Sequence, residues 1–303
     1  MIKPNIETPQ LGERNTALPL REKRLKFWKR DWFQMLPFSV IIVIFVIVAL
    51  APGWIANHNP NLTDLAIRLK NPGFHNATGT YLLGTDELGR DVFSRVMYGA
   101  RVSLLVSLCS VGVSGIIGGL LGIIAGYYGR IVETIIMRLA DMVLSIPFLL
   151  LAILTVAVLG PSLFNLIVVL GLVRWPRYAR VAQGKTLATV NQDFVKGVIA
   201  LGAKSGRVII RHIIPEVIPP LIVIGTIEVG LMIIYEASLS FIGLGVQPPT
   251  ASWGTMLSEG QQYLTQAWWL ASFPGLAIFL IVVSINMFGD YIRDRLDPKS
   301  KRR

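Results

Sequence analysis

Three acidic residues fall inside or at the mouth of long apolar stretches: Asp141, Glu228 and Glu236. A carboxylate in such a place must be paired, protonated or wetted by an aqueous path, which makes it a candidate for handling a polar solute. Glu228 sits eleven residues past Val217, about 16 Å along a helix at about 1.5 Å per residue, near the middle of a hydrocarbon core of about 30 Å. Glu236 lies nearer the other end. Both are expected on a translocation path or in a contact between helices that lines it. Asp141 is expected to pair with Arg138 one turn away.

Other chemistry is poorly represented. Gly184-Lys185-Thr186 looks like the tail of a phosphate-binding loop, but that pattern needs a glycine where Ala179 stands, and no strand precedes it. No nucleotide site, cofactor or metal is therefore expected in this chain. His58 and His75, seventeen residues apart among Asn and Pro, read as solvated loop residues, and His212 belongs to an inner loop. An intramembrane enzyme would need paired catalytic groups such as an HExxH helix, and the sequence has none.

The elements that must position these carboxylates are membrane spans. The 303 residues are 53% hydrophobic with a mean hydropathy of +0.58, and the apolar residues come in blocks, as in an integral membrane protein. Six stretches are candidate spans: Phe38–Trp54, Val102–Tyr127, Leu139–Leu159, Leu163–Val173 extending toward Ala182, Val217–Leu244 and Trp268–Phe288. The fourth is weak because its apolar run stops at Arg174. Charge placement supports it. With six spans and both termini cytoplasmic, the inner segments hold eight, two, eight and six Lys/Arg, and the outer side holds five, all in the first loop; this obeys the positive-inside rule. The expected architecture is all-α, with a basic tail and interfacial helix over 1–37 and a six-span domain over 38–303. The net charge of +11 then reflects topology and anionic lipid rather than nucleic acid, since the basic residues flank spans and form no patch with stacking aromatics.

Within the tail, Phe27, Trp28, Trp32 and Phe33 interleave with basic residues and suit an interfacial helix. The apolar run begins only after 37 residues, so an uncleaved anchor is expected. An outer loop, 55–100, follows the first span. Near its end Thr85 or Asp86 is expected to cap a helix that carries Val92, Val96 and Met97 on one side and Arg90, Asp91 and Arg95 on another. In the second span Gly115, Gly118, Gly119, Gly122 and Gly126 repeat at helical spacing, which suits close helix packing. Pro147 and Pro274 permit kinks. Cys109 is the single cysteine, so no intrachain disulfide is possible, and it reads as a packing residue.

The longest hydrophilic interruption of the second half is 184–215. Asn191 can cap a short helix whose apolar residues are Phe194, Val195, Val198 and Ile199. Gly202 ends that helix, Pro215 ends the next, and Lys204, Arg207 and Arg211 keep the segment at the surface. Two short surface helices and a turn make a docking shape, and the apolar face is expected to be buried against a partner.

Gly202 followed thirteen residues later by Pro215, ahead of the penultimate span, resembles the EAA loop of bacterial ABC-importer permeases. The family's Glu-Ala-Ala falls here on Lys196, Gly197 and Val198. The string Gly84-Thr85-Asp86 … Gly89-Arg90-Asp91 … Ser94-Arg95 … Tyr98-Gly99-Ala100-Arg101 resembles the signature of the C-type subunit of dipeptide, oligopeptide and nickel importers, as do SLSFIGLGVQPPTASWG at Ser238–Gly254 and GDYIRDRLDP at Gly289–Pro298. The resemblance implies a type I ABC-importer permease fold in a bacterial inner membrane and half of a pathway for short peptides. It also implies three kinds of partner: a B-type permease, two ATPase subunits that bind ATP and Mg, and an extracytoplasmic binding protein. Phe194, Lys196, Gly197, Val198, Gly202 and Ala203 would carry coupling to the ATPases. Nickel or another small solute is the alternative cargo. A channel or receptor anchor would explain the spans but not the docking segment.

Overall fold

The computed structural model describes residues 20–296, with side chains over 35–295. The tail 1–19 and the side chains of Phe27, Trp28, Trp32 and Phe33 lie outside the described residues. Residues up to Pro37 and Phe38–Arg303 are separate units, and the second carries all that follows.

Helix α1, Leu20–Leu50, has an apolar portion over Met35–Leu50. The segment after it contains a small antiparallel hairpin, β1 Phe74–Asn76 with β2 Gly79–Tyr81. Helix α2 then runs unbroken over Val92–Tyr128. Its cap is Asp91, whose carboxylate accepts from the backbone N–H of Ser94 at 3.0 Å, so neither Thr85 nor Asp86 caps it. Both are used elsewhere. Thr85 donates to Ile67 O and accepts from Lys70 N, and Asp86 accepts from the backbone N–H groups of Leu88 and Arg90.

Helices α3, Arg130–Ser145, and α4, Phe148–Leu159, meet at a bend of 91°. Pro147 lies at that bend, where its missing N–H and fixed φ break the ladder. Helix α5 covers Leu163–Val190 and α6 covers Asp193–Ala200. A continuous helical run, Ser205–Phe241, is built from α7 Ser205–Val208, a π-helical turn Ile209–Ile213, and α8 Ile214–Phe241. Pro215 therefore does not end a helix. The wide π turn just before it accommodates a residue that lacks an N–H and whose ring crowds the carbonyl four positions back. Helix α9, Trp253–Gly260, and helix α10, Trp269–Leu296, complete the described residues.

Among the described residues, three helices are long and apolar enough to cross a membrane: Val92–Tyr128, Ser205–Phe241 and Trp269–Arg295; the bent pair α3–α4 makes a fourth if taken as one span. The chain is a multi-pass membrane protein. Helix α5 is long enough but carries Arg174, Arg177 and Arg180 in its middle. The sequence reading stops the apolar run at Arg174 and extends the span toward Ala182, whereas the helix continues a further eight residues to Val190.

The most extensive helix contact joins α2 to α5, and its cause is the glycine series. A Cβ on Gly118 would sit 2.3 Å from Trp175 O, and one on Gly122 would sit 2.3 Å from Ala179 O. In lipid no hydrophobic force drives helices together, so backbones must approach closely for dispersion to hold them. Ser114 adds a cross-helix bond, its hydroxyl donating to Gly171 O at 2.8 Å. Trp253 of α9 anchors on the same helix, donating from Nε1 to Val96 O at 3.0 Å. Three buried apolar clusters follow: one on α2, α8, α9 and α10, one on α2, α4, α5 and α8, and one at the inner end around Ile123, Val195 and Val217. Cys109 is exposed, on an outward face of α2, and is not a packing residue within this chain.

Gly122→Leu should therefore disrupt the α2–α5 seam. Overpacking of this kind costs about 1–3 kcal/mol or more, and the expected result is a lower midpoint of thermal unfolding in detergent, while Gly112→Leu, at a position open to the outside, leaves it near wild type.

Candidate functional site

The residues that the sequence singles out lie in two separate places, and each acquires partners that the sequence does not announce. Glu228 is 1% exposed and accepts from two arginines of α5. Arg174 donates from Nε to Oε2 at 3.0 Å and from Nη2 to Oε1 and Oε2 at 2.9 and 2.7 Å. Arg177 donates from Nη1 to Oε1 at 2.7 Å. The faces of the Arg174 guanidinium are covered by Phe148 of α4 and Tyr235 of α8, with centroids at 5.2 and 5.4 Å. Of the three routes open to a carboxylate in an apolar helix, the structure shows pairing.

Glu236, two turns farther along α8, is also buried. Ser103 of α2 donates to it at 2.7 Å and Ser240 of α8 at 2.8 Å. It meets hydroxyls rather than cations, so the two glutamates are in different environments and form no common site. Asp141 pairs with Arg180 of α5, not with Arg138 as expected. Helix α5 lies beside α3 and brings a guanidinium across to it.

The inner segment departs from expectation in detail. Helix α6 starts at Asp193 after Gln192, and Asn191 closes α5 instead, with backbone and side-chain N–H groups both donating to Leu187 O. The apolar face is divided. Val195 is fully buried in this chain's own inner cluster, with Val198 and Ala203 packed against it. Phe194, Ile199 and Leu201 are exposed, Leu201 at 90%. The periodicity could not show this, because the inner ends of α2, α5 and α8 supply a surface that covers one side of α6. Lys196, Gly197 and Gly202 are exposed. Gly202 has φ +83°, a left-handed conformation that glycine adopts cheaply, and it ends the helix as expected.

A third network lies on the outer segment. Asp86 accepts from Arg90 Nε at 2.6 Å and faces Arg95 Nη1 at 3.3 Å, and Glu259 of α9 accepts from Arg95 Nη2 at 2.8 Å and Arg90 Nη2 at 3.2 Å. Glu87 takes the remaining reach of Arg90 at 2.8 Å. Burial first, and the neighbouring charge of Asp86 second, push the Glu87 carboxyl above its ordinary value of 4.5. His58 is not a free loop residue. Its ring stacks on Tyr81 at 4.5 Å, and its Nδ1 lies 3.5 Å from Asp91 Oδ2. His75 is exposed.

Residues 118–302 match the model of the family described as binding-protein-dependent transport system inner membrane component. The chain belongs to that family. Among its relatives is an Escherichia coli (strain K12) protein named "Probable D,D-dipeptide transport system permease protein DdpC", 43% identical over 96% of this chain and 98% of that one. Another is the "Di/tripeptide transport system permease protein DppC" of Pseudomonas aeruginosa (strain UCBPP-PA14), 42% identical over 86% of this chain and 87% of that one. A chain from "Inward facing conformations of the MetNI methionine ABC transporter" superposes with a TM-score of 0.53 at 20% identity, covering 66% of this chain and 95% of that one. That likeness is one of fold, the type I ABC-importer permease fold that the inner-membrane-component family implies. The match begins at Gly118, so it takes in the inner half of the α2–α5 seam, the arginines of α5 and both glutamates of α8.

Sequence reasoning did not find Arg174 and Arg177 as partners of Glu228. The signal was present as arginines three residues apart inside an apolar context, because a cation is one of the partners a buried carboxylate can take and a helix presents such spacing on one side.

Two outcomes follow. Removing one partner of a buried pair costs about 3–5 kcal/mol by leaving an uncompensated charge, so Glu228→Ala, which strands Arg174, should lower the unfolding midpoint more than Arg174→Ala, which leaves Glu228 paired with Arg177. For Glu87 the folded-state pKa is raised, so its contribution to stability is fully present below the unfolded value of about 4.5 and is lost as pH rises through the folded value. Thermal melts from pH 4.5 to 7 should fall more steeply for wild type than for Glu87→Gln.

Proposed function

We propose that this chain is one permease subunit of an ATP-driven importer of short peptides. It forms half of the pathway beside a B-type permease, with two ATPase subunits on the cytoplasmic side and an extracytoplasmic binding protein that delivers the peptide. In this reading six segments span a bacterial inner membrane: the apolar part of α1, α2, the bent pair α3–α4, α5, α8 and α10. Both termini are cytoplasmic. ATP and Mg belong to the ATPase subunits, and the permease itself carries no catalysis.

The observation that carries the proposal is identity above 40% with two peptide-transport permeases over at least 86% of this chain. The inner segment is consistent with it. Helix α6 is too short to be stable alone. One of its faces is fixed to the chain through Val195, and the other presents Phe194, Ile199 and Leu201 among Lys196, Lys204 and Arg207. An exposed apolar knob rimmed by cations fits a groove on a soluble partner. The coupling role is assigned to Phe194, Lys196, Gly197, Val198, Gly202 and Ala203, with Val198 and Ala203 holding the helix and the others facing the ATPase. Glu228 and Glu236 belong to one helix, α8, that lines the pathway in this reading.

The test is uptake of a labelled dipeptide into proteoliposomes holding both permeases and both ATPases, with loaded binding protein outside and ATP inside. Uptake of nickel in place of peptide would replace the cargo reading and leave the architecture.

Phe194→Asp and Leu201→Asp are expected to leave the unfolding midpoint of the isolated chain unchanged while lowering co-purification of the ATPase subunits by about tenfold or more, the scale of a hot-spot loss. Val198→Asp, by contrast, should lower the midpoint as well, because that residue packs inward.

A further inference from the structure

The Glu228 site carries more positive charge than its carboxylate neutralises. Arg174 and Arg177 face one glutamate, which leaves one formal positive charge beside a helical run apolar enough to cross a membrane. The cations farther along α5 do not share this surplus. Arg180 is paired with Asp141, and Lys185 lies 2.8 Å from Glu216.

The two arginines at the site differ. Arg174 is committed, with two nitrogens on Glu228 and aromatic rings over its faces. Arg177 reaches Glu228 through Nη1 alone, and half of its side chain is exposed, 51%. Among the described residues Glu228 is its one acceptor. A guanidinium carries five N–H donors in a planar fork, so the Nε and Nη2 side of Arg177 remains available for the two-point contact that fits a carboxylate.

The direction in which this fork points is set by α5. Arg177, Arg180 and Gly184 are exposed, whereas Pro176, Tyr178, Ala179 and Ala182 are buried against the rest of the chain. The exposed residues are three and four apart and form one stripe. A Cβ at Gly184 would meet nothing within 4 Å, so the space beside the stripe is open. A stripe of guanidinium groups at this depth does not face hydrocarbon; charged residues in spans face an aqueous cavity or another polar surface.

We infer that this stripe faces the pathway and that Arg177 receives the carboxylate of the substrate as it crosses. The inference rests on the peptide reading above and deepens it. The site takes a carboxylate-bearing solute, and Glu228 with Arg174 holds the receiving guanidinium at its place. Glu228 withdraws one side of Arg177 and so leaves the binding weak enough to release, as a transit site requires. The rival occupant, an acidic side chain of the second permease, would make Arg177 an assembly residue instead.

The experiment uses the complete transporter in proteoliposomes and measures dipeptide imported per ATP hydrolysed for wild type, Arg177→Gln and Arg177→Lys. A charge-assisted contact corresponds to about tenfold or more, so Arg177→Gln is expected to lower the ratio about tenfold, and Arg177→Lys, which keeps the charge but not the fork, to give a ratio between that value and the wild-type one or equal to the former. A ratio for Arg177→Gln at the wild-type value overturns the inference, whether both rates are normal or both fall together as an assembly role requires. An Arg177→Lys ratio below that of Arg177→Gln overturns it too, since a retained charge would then give no help to a carboxylate in transit. Wild-type uptake at the level seen without ATP would overturn the peptide reading itself, and that is read from the wild-type arm alone.

Discussion

The closeness of α2 and α5 is the constraint on which the rest of this molecule depends. A lipid-facing helix gains nothing from hiding apolar side chains, so contact must come from backbones that can touch. Gly118 and Gly122 allow this against Trp175 and Ala179, where a methyl group would stand 2.3 Å from a carbonyl oxygen in each case. The seam fixes the rotation of α5 about its own axis. With Tyr178, Ala179 and Ala182 turned to α2, Arg174 is brought to α8 and Arg177 lies at the margin. The small residues thus set where the charges go.

The charges in turn hold α5 to α8. A glutamate in an apolar helix is costly unless its lone pairs are taken, and here four N–H···O contacts from two guanidinium groups take them. Phe148 and Tyr235 close the Arg174 faces, so α4 joins the same unit. Glu236 is handled differently, by Ser103 and Ser240, and joins α8 to α2 about two turns beyond Glu228. Two buried acids on one helix therefore tie it to two different neighbours.

Much of this was legible in the sequence, and the reasons for the remainder are physical. Apolar blocks identified α2, α8 and α10, and the glycine repeat identified a packed face. The extent of α5 was not legible, because hydropathy reads Arg174 as an end, whereas a helix continues through an arginine once a carboxylate on a neighbour receives it. The caps were missed for a related reason. Thr85, Asp86 and Asn191 all have capping chemistry, and which of them is used depends on competing partners: Ile67 O and Arg90 for the first two, Leu187 O for the third. The Asp141 pairing failed because a helix periodicity knows only its own turns, and the partner came from α5.

The same tertiary contacts bear on how the proposed coupling helix would act. An α6 that buried its whole apolar face in an ATPase could shift with that subunit while leaving the membrane helices still. Val195 excludes so loose an attachment. It is fully buried with Ile123 of α2, Ala182 of α5 and Ile213 and Val217 of the α8 run, a contact set that close packing makes stiff. A displacement imposed at Phe194 or Leu201 is therefore delivered to α2, α5 and α8 together. Those three helices meet again farther out, through the glycine seam and the Arg174–Glu228 pair. The Val195 cluster and the charged pair share α5, with Ala182 and Arg174 eight residues apart on it, about 12 Å at 1.5 Å per residue. In the proposed reading, motion of α6 and motion of Arg177 are thus linked through one helix, α5.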